Sequence, residues 1–251
     1  MPRDRAAGRT GAPRSGWHRV LLAILVAAIV AVGFGVSRSS WFHVRRIQIA
    51  GADHLTRADV LRIAGISSSS NALWLDEVLA EERLEANPWV ARADVQRVFP
   101  VTVRITVSER TAVAVASDGV HTVLLAGDGT PLGTGATMLA SRRLSKGLPD
   151  IELLPAGTVE GSAPSPVGAA RALGAMAPAL RDLVKDVSVL SNGSLVLSFR
   201  GGETVLFGGP EQLFAKARAI ERMFAWASWA GERIVRLSVV APTAPSALFA
   251  N

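Results

Sequence analysis

The densest group of titratable side chains in the sequence is Asp76, Glu77, Glu81, Glu82 and Glu85. Two carboxyls with separated pKa values would do general acid and base chemistry. This spacing is instead what the solvated face of a helix shows, and nothing in it sets one carboxyl apart from the next. The four histidines, His18, His43, His54 and His121, make no pair at metal-ligand spacing, and the chain has no cysteine. Nucleophile elbows, S-x-x-K with its partner motifs and H-E-x-x-H are all absent. The double glycines at 201–202 and 208–209 lack the spacing of a dinucleotide loop and read as turns. No catalytic, cofactor-binding or metal-binding residue is therefore expected, and the remaining candidates are surfaces. One is the strand read as last in the chain: Ile234, Val235, Arg236, Leu237, Ser238, Val239 and Val240. A terminal strand at a sheet edge offers unpaired N–H and C=O groups to another chain, with alternate side chains Val235, Leu237 and Val239 supplying fit. The other is Glu109-Arg110, an ion pair expected at the surface where two modules join.

The net charge of +6 is no nucleic-acid signal, because residues 1–19 hold five arginines and one aspartate, and so supply +4 of it. No Lys/Arg run interleaved with aromatics follows. Residues 20–36, VLLAILVAAIVAVGFGV, are uncharged and apolar, with Trp17 and Trp41 on either side. As a helix they span roughly 26 Å, near the short end of what a bilayer core needs. The run exceeds the apolar region of a signal peptide, so an uncleaved anchor is expected. The arginine-rich side should stay cytoplasmic, which places the bulk of the chain outside.

Beyond the anchor an α+β pattern begins. Ile47 and Ile49 alternate in a first strand that Gly51 ends. Thr56 to Asp59 resembles a capping box opening a helix closed by Gly65. A second helix covers 75–86 and stops at Asn87-Pro88. Ala91, Ala93, Val95 and Phe99 share one parity of the next strand, in which Trp89 is expected to pack between helix and sheet. Val103, Ile105 and Val107 then alternate with Arg104, Thr106 and Ser108 without a break. The order is β-α-α-β-β, a three-stranded sheet with both helices on one face.

These residues resemble a POTRA domain, and more closely that of the FtsQ/DivIB family of bacterial division proteins. The segments VRRIQIAGADHLT, NALWLDEV and NPWVARADVQRVFPVTVRITVSER carry the likeness, with Pro88-Trp89-Val90, Val95, Arg97, Phe99-Pro100 and Glu109-Arg110 at the family's motif positions. Phe99 stands where tryptophan is commoner. Gly202 to Gly208 resembles the family's glycine-bounded strand, and Lys216 falls where a helix lysine is usual. In the family pattern Ala126 takes the place of an acidic residue and Arg236 that of an aspartate.

The boundaries expected are a basic cytoplasmic tail at 1–19, a transmembrane helix at 20–36, a POTRA domain at 42–110, an FtsQ-type β-domain at 111–242 and a flexible tail at 243–251. In the β-domain, strands are expected near 113–115, 123–125, 187–190, 195–199, 205–207 and 234–240. Asn192-Gly193 reads as a type I′ hairpin turn. A helix should start at Ser165-Pro166, and another should run from Leu213 to Gly231, with Trp226 and Trp229 in the core. Residues 133–164 read as mostly loop, and Pro242 and Pro245 argue against further regular structure.

The resemblance implies a non-enzymatic, single-pass type II membrane protein at the division septum. It would bind FtsB/DivIC-type and FtsL-type bitopic proteins and help control septal peptidoglycan synthesis, without nucleic acid or cofactor. Two alternatives stay open from the residues alone: a POTRA-bearing transport or assembly factor, and a secreted cell-wall enzyme.

Overall fold

A computed structural model describes residues 15–117, 122–133, 147–153 and 165–250. Arg3, Arg5, Arg9 and Arg14 of the basic tail, His121 and most of the 133–164 loop lie outside the described residues. Helix α1, Ser15–Ser37, contains the whole apolar run, and its side chains between 19 and 36 face outward. It is long and apolar enough to cross a membrane. A 3₁₀ turn at Ser40–Phe42 carries the chain into the first module.

That module has the expected order: β1 (Arg46–Ala50), α2 (Arg57–Ala64), α3 (Glu77–Glu85), β2 (Val90–Val98) and β3 (Thr102–Glu109). The strands lie side by side as β1-β3-β2, with β1 parallel and β2 antiparallel to β3. Local chemistry sets both helices. Thr56 accepts the Asp59 N–H at the start of α2, Gly65 closes it in the left-handed region, and Asp76 accepts the Leu79 N–H at the start of α3. Val103, Ile105 and Val107 are buried under the helices with Val60, Ala64, Ala80 and Leu84. The parity expected for β2 holds only in part. A register shift between Val90 and Arg92 turns Val90 inward with Ala93 and Val95 and leaves Ala91 outside. Phe99 sits in the turn after β2 and is exposed.

The second module is an eight-stranded mixed sheet under helices α4 (Pro166–Gly174) and α6 (Leu213–Ala230), with one helical turn, α5, at Pro178–Arg181. Its strands are β4 (Ala112–Ser117), β5 (Thr122–Ala126), β6 (Asp150–Leu153), β7 (Val184–Val189), β8 (Leu195–Phe199), β9 (Thr204–Gly208), β10 (Ile234–Ser238) and β11 (Ser246–Phe249). They lie in the order β11-β10-β9-β8-β7-β6-β4-β5. Alternating residues Val187, Val189, Leu195, Leu197, Phe199, Val205 and Phe207 form the core with Leu173, Ile220, Leu237 and Val239. Gly174 of α4 lies on the backbone of Gly127, where a Cβ would come within 2.4 Å of the Gly127 carbonyl oxygen.

Three expectations are corrected here. The segment inside the presumed loop, Asp150–Leu153, is a central parallel strand between β4 and β7. It is short and half acidic, so its alternation of Ile151 and Leu153 is a weak signal. The 190–194 turn has positive φ at Gly193 alone. The Gly193 N–H reaches the Leu190 carbonyl and the Leu190 N–H reaches Ser194, so this is a type I turn followed by a left-handed glycine, not type I′. Finally, the segment expected as a flexible tail holds a strand: Pro242 and Pro245 shape the connection, and β11 follows it at Ser246–Phe249.

Candidate functional site

Strand β10 is not the last strand and has no free edge. It pairs in parallel with β9 through Arg236, Leu237 and Ser238, and antiparallel with β11 from Ile234↔Phe249 to Ser238↔Ser246. The regular strand ends at Ser238, and the Val239 N–H continues the pairing to the Leu206 carbonyl. Leu237 and Val239 are buried in the core, so only Val235 of the three side chains assigned to partner fit reaches the surface. The physical reason is length: the prolines occupy a seven-residue link, after which four residues suffice for another strand.

The edge therefore belongs to β11. The Ala250 N–H points inward to the Arg233 carbonyl. Backbone groups alternate sides along an edge strand, so those of Ser246 and Leu248 also face β10, while those of Ala247 and Phe249 face outward. Ala247 and Phe249 lean onto the core, Phe249 with its ring 5.6 Å from that of Trp226, and Leu248 projects from the opposite face. Trp229, read from the sequence as core, is 85% exposed on α6, and Trp226 is partly exposed beside β11.

The other edges carry blocking groups. At β5 the chain folds back, with the Ala126 N–H on the Thr130 carbonyl and the Leu132 N–H on the Leu124 carbonyl. At β1 the Arg57 guanidinium donates to the Ile47 carbonyl. At β2 the work is done by the carboxylates that the sequence presented as a solvated row. Glu85, Glu81 and Glu77 accept the backbone N–H groups of Ala93, Val95 and Arg97 at 3.1, 2.8 and 2.6 Å. Four residues of helix rise about 6 Å and two residues of strand about 6.6 Å, so the two spacings run in step. The i, i+4, i+8 spacing of the glutamates before a strand was the available signal. Burial works to raise the Glu77 carboxyl, but the side chain and backbone N–H of Arg97 outweigh it and hold it below its ordinary value.

Glu109 and Arg110 do not pair with each other. Glu109 accepts the backbone N–H groups of His54 and Leu55 at 2.8 and 2.9 Å, and lies 2.8 Å from His54 Nδ1. Burial pushes its carboxyl up, and these N–H groups and the His54 ring together bring it below the usual value. The His54 ring stacks on Trp89 at 4.8 Å. Arg110 crosses to the second module: it donates to the Pro88 and Val90 carbonyls on one side and to Asp128 Oδ2, at 2.7 Å, on the other. Burial raises the Asp128 carboxyl, but Arg110 and the Thr130 N–H prevail and hold it at about 2. Asp128 also presents its backbone carbonyl to Arg171 of α4. Trp89, expected between helix and sheet of its own module, packs instead against a cluster of the second: Val115, Leu124, Ala126 and Leu132. His54 and Asp128 are the junction residues that sequence reading missed, since both owe their role to contacts distant along the chain.

Lys216 is buried and donates to the Gly209 carbonyl at 2.8 Å, with its ammonium over the Phe207 ring. It ties the start of α6 to the end of β9. Among the described residues no group of three His, Asp or Glu side chains is arranged to hold a metal ion.

A helix long and apolar enough to span a membrane, a three-stranded module with two helices on one face, and a second module whose last edge carries no blocking group among the described residues define a POTRA-bearing protein of the single-pass membrane type. Residues 42–110 match the family model of the FtsQ-type POTRA domain. Three similar proteins carry the name cell division protein FtsQ. That of Streptomyces collinus is 28% identical over 97% of this chain and 95% of its own length. That of Streptomyces coelicolor is 28% identical over 80% of this chain and 79% of its own, and that of Mycobacteroides abscessus 28% identical over 80% and 63%. The chain thus spans less than two thirds of the mycobacterial relative. Residues 42–110 are therefore an FtsQ-type POTRA domain, the chain as a whole is similar to FtsQ cell division proteins, and its one long apolar helix fits a single-pass membrane protein.

Proposed function

We propose that this protein is a non-enzymatic scaffold of the divisome that captures an extended segment of a small bitopic division protein at the outer edge of β11. The observation that carries this reading is the contrast between edges: β1, β2 and β5 carry blocking groups, whereas among the described residues none takes the outward backbone of Ala247 and Phe249. Main-chain hydrogen bonds would supply affinity, and the exposed Leu248 and the Trp226 ring beside Phe249 would supply fit. The family places FtsB/DivIC-type and FtsL-type proteins in this role, and through them septal peptidoglycan synthesis comes under control. The N-terminus is cytoplasmic, the two modules are extracytoplasmic, and the complex works at the septum.

A photo-crosslinking amino acid at Leu248 of the full chain, expressed in dividing cells, tests the proposal. Adducts with a small single-span division protein are expected from Leu248 and none from Arg104, which lies on the open face of the first sheet. Adducts from Arg104 with none from Leu248 would move the interface to the first module.

A further inference from the structure

We infer that the membrane-proximal end of the POTRA domain is itself a lipid-binding surface, seated in the headgroup layer of the outer leaflet through Trp41, Trp74 and Phe99. Their exposure is 75%, 57% and 74%, and large aromatic side chains so uncovered at one end of a module call for a partner. Three chain segments meet there. The Phe42 carbonyl accepts the Ala72 N–H, the Val44 N–H reaches the Ser70 carbonyl, and Arg97 donates to the Leu73 carbonyl. Leu73, Val98 and Phe99 line one cleft of about 230 Å³.

The anchor identifies the partner. Asn71 donates to the carbonyl of Ser37, the last residue of α1, at 2.8 Å, and the Trp74 ring lies 5.8 Å from the ring of Phe34. The 19-residue span Arg19–Ser37 rises about 28 Å, close to the thickness of a bilayer core, so Phe34 sits about one turn inside the helix end. A ring touching Phe34 from outside the helix is then at the depth where Trp prefers to lie. Charge agrees with this placement: Arg38 lies over the Phe34 ring, and Arg45 and Arg46 are exposed at the start of β1, where anionic headgroups would meet them. The nearby acids are engaged within the protein, Asp76 at the Leu79 N–H and Glu77 at Arg97. The opposite end of the module holds Trp89, Glu109 and Arg110 and faces the second module. The first module is thereby oriented by the bilayer at one end and by Arg110 at the other.

The chain has no cysteine, so a single label position can be introduced cleanly. Full-length protein with Phe99→Cys bearing an environment-sensitive fluorophore is reconstituted in vesicles of phosphatidylcholine and phosphatidylglycerol with and without brominated acyl chains. Ser191→Cys, in an exposed turn of the second module, is the reference. Bromolipid quenching at 99 is expected to exceed that at 191 at least twofold, and to fall by about half when Trp41→Ser and Trp74→Ser are added. Circular dichroism melts of each variant accompany the measurement, and Trp41→Ser with Phe99→Cys alone serves if the combined variant melts early. Equal quenching at 99 and 191, or quenching indifferent to the tryptophan replacements, would overturn the inference.

Discussion

Ala247→Pro is the sharpest perturbation of the proposed edge, because the structure separates binding from folding there. The Ala247 N–H points away from β10, so losing it removes no bond of the protein's own sheet, and proline is tolerated on an edge strand with its N–H side to solvent. A strand added along the four residues of β11 would meet the outward N–H and C=O groups of Ala247 and Phe249. Each such bond contributes about 0.5–1.5 kcal/mol net, and the unpaired carbonyl left on the partner adds about 1–3 kcal/mol more. Allowing for overlap between the two terms gives about 1.5–3 kcal/mol, or roughly one to two decades in Kd. The inward-facing neighbour supplies the contrast. Leu248→Pro removes a donor to β10 opposite Arg236 and should cost about 1–3 kcal/mol of stability, the unpaired acceptor included. The assay is titration of full-length protein in nanodiscs with the extracytoplasmic part of the bitopic partner, beside thermal melts of both variants. A folded Ala247→Pro protein with wild-type Kd would refute strand addition at β11.

Other outcomes follow from the same geometry. Val103→Asp places a carboxylate at a fully buried position and should cost several kcal/mol, unfolding the first module, while Arg104→Asp on the open face should shift its melting by little; equal damage would show the strand phase to be wrong. Glu81→Ala leaves the Val95 N–H at the β2 edge without its acceptor and should cost about 1 kcal/mol, and the triple Ala variant at 77, 81 and 85 should self-associate, measurable by sedimentation. The Asp128 carboxyl is held at about 2 against an ordinary 3.8, so its pairing with Arg110 stabilises the fold above about pH 4 and is lost as pH falls through about 2. Because Asp128 is half exposed, the effect should stay below about 1 kcal/mol, and melting curves of wild type and Asp128→Asn should converge between pH 4 and 2. Gly174→Ala should cost at least about 1 kcal/mol, since the added methyl runs into the Gly127 backbone; an unchanged melting temperature would show that α4 can shift.

The sequence by itself determined what local chemistry governs. An apolar run with no polar face is long enough to span a bilayer, so the first helix was legible, as were the helices started by Thr56, Asp76 and Ser165. The unbroken alternation of Val103, Ile105 and Val107 named the buried face of β3 outright. What only the tertiary structure decided is which strand neighbours which. Pairing joins residues far apart in the chain, and a four-residue strand such as β6 or β11 gains its stability from neighbours rather than from its own pattern. For that reason the edge moved from β10 to β11, Leu237 and Val239 passed from partner contacts to core, and Asp150–Leu153 passed from loop to sheet centre. The same holds for charge. Composition showed the carboxylates of α3 and the adjacent Glu109 and Arg110, but a charged group takes whichever donor or acceptor the fold brings within 3 Å. Only the assembled sheets could send the glutamates to the β2 edge, Glu109 to His54 and Arg110 across the junction to Asp128.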